Sequence, residues 1–165
     1  MKKYFTALMI IISFILLLYF NSTVLTLKIY DLDKNNLIFS EPVKNTDSFT
    51  IKYNHSVART PVFEIFIIQN EKIYLKKTIY QSYGAGLPFL NKNDYKLKND
   101  KFIIDNIDQQ LPEILLRVSS YAEHKFIYAD NTYKLYSLSE DENLLKIYLE
   151  REKVFSKILE EIKNV

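Results

Sequence analysis

The sequence predicts a mainly β protein, an antiparallel sandwich or barrel of seven to nine strands, flanked by an N-terminal transmembrane helix and a long C-terminal amphipathic helix. Three observations predict it. Short segments with apolar residues at every second position recur along the chain, separated by polar turns. Tyr and Phe supply 13 and 11 of the 165 residues, an abundance that suits pleated, half-buried surfaces. The chain also opens on an uncharged apolar run and closes on a stretch with helical spacing.

The run from Tyr4 to Phe20 makes roughly 26 Å of helix, close to a hydrocarbon core of about 30 Å. Lys2 and Lys3 precede it, so the positive-inside rule keeps the N-terminus cytoplasmic and places everything after Phe20 outside. A cleaved signal peptide starts the same way, but its apolar region is about 7 to 15 residues and small residues precede the cut. Here bulky Tyr19 and Phe20 stand before Asn21. The expectation is a retained single-pass cell-membrane anchor over residues 1–23, crossing with residues 4–20.

Residues 24–138 follow as an extracytoplasmic β domain. Leu25, Leu27 and Ile29 alternate with Thr26, Lys28 and Tyr30, and the Asp and Asn residues between 31 and 36 make a turn into a short strand from Leu37 to Ser40. Phe49, Ile51, Tyr53 and His55 share one strand face. Val62 to Gln69 is apolar on both faces apart from Glu64, so it is expected to be central. Asn70-Glu71 then forms a tight turn into Lys72–Tyr83. Further strands are expected at Phe102–Ile104, Ile114–Ser119, Lys125–Ala129 and Tyr133–Leu138, the last two joined at Asp130-Asn131.

The pattern changes at Ser139. Ser139 and Glu142 match a capping box, and Leu144, Leu145, Tyr148, Phe155, Ile158, Leu159 and Ile162 recur at helical spacing. One helix of roughly 23 residues is therefore expected within 139–165, covering a sheet face or a barrel end.

Beyond Phe20 the chain carries 20 acidic and 20 basic residues, and the overall +2 is Lys2 and Lys3. This neutrality argues against a nucleic-acid partner, whose phosphates demand a basic surface. The absence of Cys removes disulfides, thiol nucleophiles and thiolate metal sites. Oligomeric state leaves no trace in the sequence.

Two features stand out as candidate sites. The only two glycines sit in Gly84-Ala85-Gly86-Leu87-Pro88, which makes either a tight bend or a backbone-lined binding loop. It is not a P-loop, because no Gly-Lys-Ser/Thr follows. His55-Ser56 is the second feature, with Arg59, Thr60 and Glu64 downstream. Neighbouring strand residues point to opposite faces, so His55 is poorly placed to serve Ser56 as a base. His55, His124 and Glu64 are too few ligands to make a metal site compelling, and neither metal nor cofactor is expected. The plain role for His55 is a core-edge ring bonded to backbone or carboxylate, and Glu64, if buried, needs a partner such as Arg59 or Lys52.

Taken together, Phe49–Val57, Thr60-Pro61-Val62-Phe63-Glu64 and Gly84–Pro88 resemble the family called domain of unknown function 1850. The blocks match its order: a strand ending in His-Ser-Val, a Pro and a Glu opening the next, and a Gly-Ala-Gly-hydrophobic-Pro segment after a third. By position the resemblance marks His55, Ser56, Pro61, Glu64, Gly84, Ala85, Gly86 and Pro88. It implies a small exported or anchored protein with an accessory role beside a TAXI-type TRAP transporter, and no established reaction. The leading reading is thus a noncatalytic binding module, with Arg59 joining these residues on one rim. An enzyme centred on His55 and Glu64, and a structural protein recruiting a partner through its C-terminal helix, are the alternatives.

Overall fold

The computed structural model describes residues 2–81 and 96–163. Helix α1 (Lys2–Asn21) leads into β1 (Thr23–Asp31), β2 (Asn36–Pro42), β3 (Ser48–Asn54), β4 (Pro61–Gln69) and β5 (Lys72–Tyr80). There follow β6 (Lys96–Lys98), β7 (Lys101–Leu111), β8 (Ile114–Arg117), β9 (Lys125–Tyr128), β10 (Asn131–Lys134), the single turn α2 (Leu135–Leu138), β11 (Leu144–Lys153) and α3 (Val154–Lys163).

The strands form two antiparallel sheets, one ordered β2-β1-β11-β8 and the other β10-β9-β3-β4-β5-β7-β6. Alternation turns one face of each inward. Leu27, Ile29, Phe39, Leu145 and Ile147 from the smaller sheet meet Phe49, Ile51, Phe66, Ile68, Ile73 and Phe126 from the larger. Full burial of each such side chain contributes about 1.5–3 kcal/mol. Phe39 packs edge-on against Phe126 and Tyr133 across the two layers, and Phe49 stacks at 5.0 Å on Phe66, its partner within the larger sheet.

The described residues hold eleven strands rather than seven to nine. The excess is β6, an edge strand of three residues, too short for alternation to show, and β11, which stands where a helix was expected. The segment expected as one strand from Tyr133 to Leu138 divides between β10 and α2. The Asn70-Glu71 turn forms as expected, with φ of 51° and 59°, whereas the turn between β9 and β10 falls on Ala129-Asp130.

The long C-terminal helix is corrected. Residues 144–153 are β11, paired along nine positions with β1 and four with β8, and only α3 is helical. The capping box fails because its residues are engaged elsewhere. The Ser139 hydroxyl donates to Asp31 Oδ2 at 2.5 Å, and Glu142 has φ of 67°, outside the helical range. Asn143 Nδ2 also donates to Asp31 Oδ2, and the amides of Asp33 and Lys34 donate to its Oδ1. Burial opposes the charge on Asp31. The donations from Ser139, Lys34, Asn143 and Asp33 outweigh it and hold the carboxyl below its ordinary value. One carboxylate thus ties the β1–β2 turn to the loop that launches β11.

Candidate functional site

The candidate residues that the structure describes lie on and around the β3–β4 hairpin. Register pairs Asn54 with Pro61, Tyr53 with Val62 and Ile51 with Glu64, so Tyr53, Val62 and Glu64 share the inner face. Beyond the strand end the His55 amide donates to the Thr60 carbonyl, and the Arg59 amide returns to the His55 carbonyl. The His55 ring closes the loop: Nδ1 accepts the amides of Val57 and Ala58, both at 3.2 Å. With two donors aimed at Nδ1, the neutral ring carries its proton on Nε2.

His124 uses the same device. Its Nδ1 accepts the Ser119 amide at 3.0 Å, and its ring lies 5.5 Å from that of Tyr53. Burial lowers its pKa. A backbone bond from the Asn54 amide to the Ala122 carbonyl, 2.7 Å, fastens this loop to the end of β3. Across that junction the Arg59 guanidinium sits 5.2 Å above the Tyr121 ring.

Glu64 points inward between Ile51 and Thr78. Burial raises its pKa, partly offset by the Tyr53 hydroxyl, which donates to Oε1 at 3.4 Å. Burial and the nearby carboxylate push the Tyr53 phenol well above its ordinary value. The expected cationic partners are engaged elsewhere, Arg59 with Tyr121 and Lys52 over the Phe63 ring. Instead, the hydroxyl of its diagonal neighbour Tyr53 satisfies the carboxyl.

The structure therefore brings His55, Ser56 and Arg59 together in one loop. Glu64 lies four strand positions below His55, about 13 Å along the strand. Ser56 is exposed and His55 buried. Gly84, Ala85, Gly86 and Pro88 lie outside the described residues, as does Tyr83. Among the described residues no three His, Asp or Glu side chains gather where they could hold a metal. The residues that sequence reasoning passed over are Tyr53 and Tyr121. Tyr53 carried a signal in its place on the His55 strand face, but the contact of Tyr121 with Arg59 spans loops that local pattern does not connect.

A family model described as Domain of unknown function (DUF1850) matches residues 49–135, just over half of the chain. The chain belongs to the DUF1850 family. No curated protein and no solved structure matches it. The DUF1850 region takes in the seven-stranded sheet from the second residue of β3, together with β8. All the candidate site residues fall inside it. Three of the four strands of the smaller sheet, β1, β2 and β11, lie outside, so the other half of the core is supplied by sequence beyond the DUF1850 match.

Proposed function

We propose that this DUF1850 protein is a noncatalytic binding module, anchored by α1 with its β domain outside the cell membrane, and an accessory to a TAXI-type TRAP transporter. The apolar helix Lys3–Asn21 supports the anchor, and Lys2 and Lys3 support an N-terminus held in the cytoplasm. The observation that carries the binding reading is the rim formed by Val57, Arg59 and Tyr121. Val57 and Tyr121 are 77% and 58% exposed, yet both stand on loops fixed by backbone amides that donate to an imidazole Nδ1. Rigid, exposed aromatic and Arg side chains are the residue types that dominate protein recognition, because they bury large area at little entropic cost. In the same region His55 is occupied in bracing its loop, which favours recognition over acid–base chemistry.

A photoactivated crosslinker placed at Val57 in the native membrane tests the reading. A TAXI-type transporter subunit should be captured, and Arg59→Ala with Tyr121→Ala should cut its yield about tenfold while the protein remains folded. Capture that is indifferent to both substitutions, or captures no transporter subunit, refutes this site.

A further inference from the structure

Helix α3 is seated backwards for a soluble protein. It leaves β11 and reaches across β1 to β2, where Lys157 Nζ donates to the Ser40 carbonyl at 2.8 Å and to the Ser40 hydroxyl at 2.7 Å. Lys157 is 5% exposed, whereas Phe155, Leu159 and Ile162 are 50%, 42% and 66% exposed. These three recur at i, i+4 and i+7, so they form one stripe on the side of the helix opposite Lys157. An amphipathic helix packed on a soluble domain would bury that stripe and release the lysine.

The stripe is continuous with the membrane anchor. The Val154 amide bonds the Ser22 carbonyl at 3.0 Å, fixing the start of α3 beside the end of α1. Phe155 meets Phe20 edge-on at 5.9 Å, and Leu17, Phe20 and Phe155 line an apolar cleft whose rim holds Asn21 and Lys153. The outward side chains of α1 are exposed along its whole length, so the same medium that receives them reaches Phe155.

We propose that α3 lies at the membrane surface, with Phe155, Leu159 and Ile162 sunk into the boundary between headgroups and acyl chains. This rests on α1 being a retained anchor and adds a second membrane contact that fixes the orientation of the β domain. The formal charges of α3 cancel, Lys157 and Lys163 against Glu160 and Glu161, so insertion depends on apolar burial and needs no anionic lipid.

The chain lacks Cys, so single labelling sites are simple to introduce. The full-length protein would be reconstituted in phosphatidylcholine vesicles carrying a bilayer-embedded quencher, with an environment-sensitive fluorophore on Leu159→Cys, Ile162→Cys, Ile10→Cys or Leu115→Cys. Leu115 is exposed and pairs with Lys146, seven positions from Lys153, or about 23 Å of strand away. Quenching at 159 and 162 should exceed that at 115 by about threefold or more and persist when salt is raised. Quenching at 10 with none at 159 and 162 overturns the proposal and leaves the anchor standing. Absence of quenching at 10 removes the anchor and the proposal with it.

Discussion

Glu64 is a carboxyl held among apolar side chains by one phenol. Because burial raises its folded pKa above the ordinary 4.5, the native state keeps its proton to higher pH than the unfolded chain does. Its contribution to stability is therefore complete below about pH 4.5 and declines as pH rises through the folded value. Glu64→Gln keeps the shape and an acceptor for Tyr53 but cannot ionise. In urea unfolding of the detergent-solubilised chain, it should be about 1 kcal/mol more stable than the parent at pH 8, with the gap closing by pH 4. A gap of constant size would show that ionisation of Glu64 has no part in it. His124 has the opposite sign: its lowered pKa costs stability as pH falls below 6.5, so only the difference between parent and variant isolates Glu64. At this scale the sequence marked His55 and Glu64 as unusual from the company they keep. Their partners were not legible, because a ring nitrogen facing two loop amides and a diagonal Tyr–Glu contact depend on register and loop closure.

The hairpin turns carry their signal in an uncommon form. Asn70-Glu71, Asn99-Asp100 and Ala129-Asp130 each take positive φ at both positions, the geometry that suits two-residue hairpins, and none uses glycine. Ala129 has φ of 45° and an exposed side chain, so its Cβ pays the left-handed penalty with no packing in return. Ala129→Gly should raise the unfolding free energy by about 1 kcal/mol, read from the urea midpoint at constant slope. An unchanged or lower midpoint would mean that the turn is not strained. The strand β11 shows why elements can mislead. Leu144, Leu145 and Tyr148 fit a helix, but Leu145, Ile147 and Leu149 fit a strand equally well, and only the strand buries Ile147. Further along, Phe155, Leu159 and Ile162 do belong to a helix, and the two periods join at Lys153 without a Gly or Pro to mark the change.

At the scale of the molecule, β11 lies between β1 and β8, so the last part of the chain completes the sheet begun by the first. A chain ending at Leu138 loses Leu145 and Ile147 from the core, each worth about 2–4 kcal/mol, against a total stability of about 5–15 kcal/mol. It also strips Asp31 of Ser139 and Asn143. Such a chain should show no cooperative unfolding, while one ending at Lys153 should keep it. A cooperative transition in the shorter chain would refute the central role of β11. The sequence by itself determined the β class, the apolar N-terminal helix, the opening hairpin and the DUF1850 membership, because each rests on hydrophobic pattern, turn chemistry or residue order within a few neighbours. Only the tertiary structure decided that residues 144–153 are a strand, that Tyr53 rather than a cation answers Glu64, and that α3 faces its apolar stripe away from the sheet. The physical reason is that these outcomes depend on partners more than ten residues away in the chain. The free energy of pairing and burying against them outweighs local preferences worth tenths of a kcal/mol per residue.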